Sequence, residues 1–234
     1  MRDDENRENT VRSVDQTPES EAIWIQKRRL ATAMRKVIEL LVTTEAPADE
    51  LCAAADRLEM YAQRLATQPQ QYITWGHPEA ATAGTTGGFF DLSPLMGLAN
   101  PLAPPIALWV DGETVRGKAE FGWAYQGPPG YLHGGFVAAL FDETLGMTQS
   151  MTGNPGMTGT LTVRYRKPTP LYTPLRIEAT VQRIHGRKIF TEARLYAGDL
   201  LTAEAEAIFI SFNLADLKES APPLKKSSGG DTGS

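Results

Sequence analysis

Three hydrophobic patterns follow one another along this chain. From Glu19 to about Thr43, Ile23, Leu30, Met34, Val37, Ile38 and Leu41 recur at spacings of three, four and seven, which predicts an amphipathic helix. A second helix is expected from about Pro47 to Thr67, with Leu51, Ala55, Leu58 and Leu65 as its stripe and Pro47 at an early helical position. The pair reads as a helical hairpin capping something larger. Residues 68–105 then show no sustained period. Their second half, GGFFDLSPLMGLANPLAPPI, is too apolar for a solvated linker and is expected to lie on the domain, either helping to wall a pocket or simply covering the core.

From there the period falls to two. Val115, Gly117, Ala119 and Phe121 alternate with Thr114, Arg116, Lys118 and Glu120, and Asp111-Gly112 joins this strand to a shorter one over Ile106–Val110. Four more strands are predicted at about 157–167, 174–184, 187–197 and 201–213, with turns at His185-Gly186 and Gly198-Asp199. The last loses its alternation at Ile208-Phe209-Ile210, as expected of a central strand covered on both faces. Between the first two strands and the last four lies GPPGYLHGGFVAALFDETLGMTQSM, residues 127–151. Its turn-rich entry leads into a run from Phe136 to Phe141 that is apolar at every position, the pattern of a helix buried on all sides. Four consecutive strands with short turns require an antiparallel meander. One long apolar helix must then pack on its concave face. The fold class is therefore α+β: a hotdog fold, a curved antiparallel sheet wrapped around one central helix, preceded by an N-terminal helical hairpin. The expected organisation is a disordered tail over 1–18, the hairpin over 19–68, a long packed loop over 69–105, the hotdog domain over 106–213 and a second disordered tail over 214–234.

Composition narrows the functional classes. The 234 residues carry a net charge of −5 with a pI near 5.3, which argues against general binding to nucleic acid or to an anionic membrane. The single cysteine, Cys52, forms no internal disulfide. No uncharged apolar run reaches the roughly 18–20 residues of a membrane span, and the polar start MRDDENRENT lacks a signal peptide's apolar segment. A cytoplasmic location is expected. His77 and His185 stand apart from other ligand types, so no metal is expected, and nothing calls for a cofactor.

The central helix carries the candidate chemistry. Its first turn offers backbone N–H groups without intrahelical partners, at the positive end of the helix dipole, and Gly134 and Gly135 allow close approach to them. Such an end holds an anion or a developing oxyanion. Asp142 and Glu143 follow inside the helix, where unpartnered carboxylates are costly. Asp142 lies seven residues after Gly135, on roughly the same face but about 10 Å further along the axis. It cannot reach a carbonyl held at its own helix's N-terminus. Two antiparallel copies can bring one chain's Asp142 to the other's glycines, which favours a homodimer with shared sites.

The segment HGGFVAALFDETLG resembles the helix motif of hotdog acyl-CoA thioesterases of the phenylacetyl-CoA type. MTGTLTVRYRKPTPL, from Met157, and HGRKIFTEARLY are similar to the mitochondrial acyl-CoA thioesterases of the human thioesterase superfamily. The resemblance covers roughly residues 90–213. It implies hydrolysis of an acyl-CoA, within fatty acid metabolism, by a homodimer, with further pairing into a dimer of dimers left open. Asp142 falls at the catalytic carboxylate, as general base or nucleophile. Gly134 and Gly135 fall at the amides that polarise the thioester carbonyl, His133 at the motif histidine, and Thr158 at a threonine that orients water. Coenzyme A phosphates need cations, for which Arg166, Lys167, Arg187 and Lys188 are the nearest clusters. An acyl groove from Phe89, Phe90, Leu95, Met96, Leu98 and Phe141 would favour medium or long chains. A hotdog enoyl-CoA hydratase or dehydratase and a non-catalytic acyl-CoA-binding protein are the two alternatives.

Overall fold

The computed structural model describes residues 18–69, 90–104, 106–154 and 156–212. The tails expected at the two ends, His77 and most of the loop before residue 90 lie outside them. The chain forms α1 (Pro18–Leu41), α2 (Ala48–Ala66), β1 (Ile106–Asp111), β2 (Thr114–Ala119), α3 (Gly134–Ser150), β3 (Gly156–Tyr165), β4 (Leu175–His185), β5 (Lys188–Ala197) and β6 (Leu200–Ser211). The six strands make one antiparallel sheet in the order β1-β2-β4-β5-β6-β3. Gly112, Gly186 and Gly198 all take left-handed φ angles of +57° to +62° at the tight hairpin turns, a conformation that costs glycine little. This is the hotdog arrangement, with α3 packed against the strands.

The core lies between α3 and the sheet. Val137, Leu140, Phe141, Leu145 and Thr148 face inward and meet Val115, Ile177, Ala179, Ile189, Leu195 and Phe209. These inward positions recur at one, three or four residues, so α3 buries chiefly one stripe and not its whole circumference. Ala138, Ala139, Asp142, Glu143, Gly146 and Met147 lie half-buried on the opposite side. That corrects the expectation of a helix covered all round: the carboxylates belong to the open face. β6 departs from expectation in a similar way. It is an interior strand, yet Ala203, Ala205, Ala207 and Phe209 point into the core while Ile208 and Ile210 stay half-buried on the far face. β3 closes one end of the sheet. Among the described residues it pairs with β6 alone, and it is largely exposed along its length.

The two N-terminal helices form, but only α1 caps the domain. No residue of α2 is buried. α1 reaches the domain through polar side chains. Arg28 Nε donates to both carboxylate oxygens of Asp91, at 3.0 and 3.1 Å, with Nη2 also paired to it. Arg35 donates to the backbone carbonyls of Asn100 (2.8 Å) and Leu98 (3.2 Å). Glu39 accepts from the amides of Trp123 and Ala124 and from the Tyr172 hydroxyl. The first two contacts pin the 90–104 segment to α1, and the third pins α1 to the domain. Asp91 is only 7% exposed, so Arg28→Met strips a buried carboxylate of its charged partner. The expected loss is about 1–2 kcal/mol in urea unfolding, held to that range because Arg28 itself is half in solvent.

Candidate active site

The turn into α3 is set by its own side chains. His133 is the N-cap, and its Nδ1 accepts from the Gly135 N–H at 3.0 Å. The imidazole proton must therefore sit on Nε2. The His133 N–H donates to the Tyr125 carbonyl at 2.9 Å, and Tyr125 packs edge-on against Phe136 with ring centroids 4.8 Å apart. The Tyr165 hydroxyl donates to the Gly134 carbonyl at 2.9 Å and ties the helix start to β3. Phe136 and Val137 direct their N–H groups to the His133 carbonyl. Gly134 is left. Among the described residues its N–H has no partner, so the open donor at this helix end is Gly134 rather than Gly135.

Two turns along, Asp142 Oδ1 accepts the Thr158 hydroxyl at 2.8 Å. The structure thus joins two of the residues picked out in the sequence. Thr158 sits where the β3–β6 register shifts, because Gly159 is an extra residue between Thr158 and Thr160. Beside the pair opens a cavity of about 310 Å³, lined by residues that include Met96, Glu143, Gly146, Gln149 and Phe209. Glu143 accepts from the Ser93 hydroxyl at 3.4 Å. Burial pushes the Glu143 carboxyl up; the Ser93 bond opposes this, and the adjacent Asp142 charge adds to it.

A carboxyl with a higher pKa folded than unfolded holds more protons in the native state. Stability then falls as pH rises through that window, and the penalty stands in full above it. Glu143→Gln keeps an acceptor for Ser93 and removes the charge. It is expected to raise Tm at neutral pH by about 2–4 °C, the effect of roughly 1 kcal/mol in a chain this size, and to give no gain in acid below the ordinary carboxylate range. Calorimetry at the two pH values checks this.

The predicted substrate groove is largely corrected. Phe141 is fully buried on the core side of α3 and cannot touch a ligand in the cavity. Leu98 points to solvent, Phe89 and the side chain of Phe90 lie outside the described residues, and of the four whose side chains are described only Met96 lines the cavity. The four cations do not converge within one chain. Arg166 and Lys167 follow the end of β3 nearest the start of α3, and Arg166 is paired with Glu204. Arg187 and Lys188 lie at the other end of the β3–β6 ladder, roughly 30 Å away by strand rise, with Arg187 Nε on the Ser211 carbonyl at 2.9 Å. Gln149, Gly146, Ser93 and Tyr165 went unremarked as site residues. Gln149 was within reach of sequence reasoning, since seven residues after Asp142 is the same side of a helix.

A solved structure described as a thioesterase superfamily protein is 32% identical to this chain. It superimposes with a TM-score of 0.70 over 79% of this chain and 94% of its own. The chain belongs to the thioesterase superfamily. The family's sequence model matches residues 129–204, from the entry to α3 as far as β6. Acyl-coenzyme A thioesterase THEM4 of Xenopus laevis is 40% identical over 87 residues, 36% of this chain and 39% of the relative. Acyl-coenzyme A thioesterase THEM5 of Homo sapiens is 28% identical over 93 residues, 39% of this chain and 38% of the relative. The match therefore spans about two fifths of the length of these curated relatives.

Proposed function

We propose that this superfamily member is an acyl-CoA thioesterase that works as a homodimer with sites shared between protomers. The observation that carries the reading is the Asp142–Thr158 pair set beside a cavity and two turns from its own helix's open amide. The names of the curated relatives support the substrate class. In this reading the thioester carbonyl of acyl-CoA rests against the Gly134 N–H of one chain, at the positive end of α3. Asp142 of the other chain takes a proton from water that Thr158 helps hold, and the hydroxide forms a bond to the carbonyl carbon. Collapse of the oxyanion breaks the C–S bond, and the proton passes to the departing sulfur. The products are a fatty acid and coenzyme A. His133 fixes the geometry of the helix start. Gly135's N–H adds a second donor if the imidazole turns away from it.

The half-buried outer face of α3, with Ala138, Ala139 and Asp142, and the unpaired edge of β3 are the surfaces that suit a second copy. Lys167 and Lys188, which have no ion pair among the described residues, are the cations of the four most free to take coenzyme A phosphates, at sites that the separation of the two would place on different chains. A cavity of about 310 Å³ walled by Met96, Met147, Met157 and Phe209 fits a medium-length acyl chain better than a very long one. The test is release of free thiol from acyl-CoAs of graded length by the purified chain. Turnover peaking at medium length supports the reading. Tight binding without thiol release overturns it in favour of a carrier. If Asp142 attacks directly, a single turnover in heavy-oxygen water leaves label in its carboxylate.

A further inference from the structure

The cavity beside Asp142 ends on a polar group that hydrolysis leaves unused. Gln149 is 6% exposed and lines the cavity, yet its Oε1 has no hydrogen-bond partner and its amide nitrogen bonds to no described residue. A buried amide in that condition is a net cost to folding. The surroundings preserve it. A Cβ on Gly156 would stand 3.0 Å from Gln149 Oε1. Gly146, one turn beyond Asp142, is a mid-helix glycine without a left-handed φ, and a Cβ there would meet nothing within 4 Å. Alanine would favour the helix more. What the glycine leaves is an open groove from Asp142 to Gln149, about 10 Å along the axis.

The chemistry of that groove restricts what fills it. Its lining includes Met96, Met147, Met157 and Phe209, so part of the wall is apolar and suits an alkyl chain. Asp142 and Glu143 share the cavity and no Lys or Arg among the described residues lines it, so a second anionic end on the ligand is disfavoured. An amide both donates and accepts, which suits a hydroxyl whichever way the side chain is turned. We propose that the preferred acyl group carries a neutral hydroxyl about 10 Å from its thioester carbonyl, and that Gln149 is the residue that reads it. The inference rests on the thioesterase reading and adds the substrate class.

The experiment compares octanoyl-CoA with its ω-hydroxy counterpart, whose hydroxyl stands about 10 Å from the carbonyl when extended, on the wild-type chain, Gln149→Leu and Gln149→Met. Both replacements are near in volume and remove a buried unpaired polar group, so unchanged or raised Tm is expected. The wild type is expected to favour the hydroxy substrate by about 10- to 100-fold in kcat/KM. Either variant should erase that preference. Equal kcat/KM values in the wild type, or a ratio that survives both substitutions, overturn the inference, and an ordered water is then what Gln149 holds. If the wild type hydrolyses neither compound, the thioesterase reading fails. Calorimetric binding of the two acyl-CoAs then decides the inference, with equal affinities overturning it.

Discussion

Asp142→Asn is expected to lower kcat on acyl-CoA by about 10²- to 10⁴-fold, the range typical for loss of a positioned general base. The substitution keeps an oxygen to accept from Thr158, so the hydrogen bond of 2.8 Å and the α3–β3 contact survive. Asp142 is half-buried on the open side of α3 and takes no part in the core packing, so Tm is expected to stay close to the wild-type value. The effect should fall on kcat more than on KM, because water activation matters only in the transition state. Steady-state thiol release with intact melting behaviour checks both points. A variant that keeps near-normal kcat removes Asp142 from the chemistry and turns attention to its neighbour Glu143.

Gly134→Pro is expected to cost about 10²- to 10³-fold in kcat, as loss of one oxyanion donor does. Proline deletes a single N–H, and here it does so at little cost in structure. Gly134 is the first residue of α3, a position proline favours. His133 before it already has φ −63° and ψ 133°, the extended conformation a following proline requires. A Cβ at 134 meets the Tyr165 ring no closer than 3.5 Å, an ordinary contact. The deeper test mixes the two inactive proteins. In a dimer of one Asp142→Asn chain and one Gly134→Pro chain, one site has lost both groups and the other has lost neither. Shared sites predict that differently tagged, co-expressed and doubly purified mixed dimers regain activity. Sites contained in one chain predict that they stay inactive.

Much of this was legible in the residues. Period-two alternation with Asp111-Gly112, His185-Gly186 and Gly198-Asp199 fixed the strand boundaries to within about two residues, because short hairpins leave a strand little freedom in register. The loss of alternation at Ile208–Ile210 misled. The far face of the sheet tolerates isoleucine half in solvent, so apolar on both sides did not mean covered on both sides. Phe141 misled for a related reason: beside Asp142 in sequence, it lies about 100° around the helix and faces the core. The role of the Gly135 N–H was out of reach. Whether a cap is filled by its own histidine depends on side-chain torsions that spacing does not report. The Gly159 bulge was equally hidden, since it is set by pairing with β6.

β3 has one further consequence. Its outer backbone groups face no described strand, and such an edge recruits any extended peptide that comes near. In the proposed dimer a second β3 would occupy that edge, so the contact that assembles the active site would also guard the molecule against fibrous self-association. Substitutions that weaken β3 pairing should therefore lower the yield of soluble protein along with the rate.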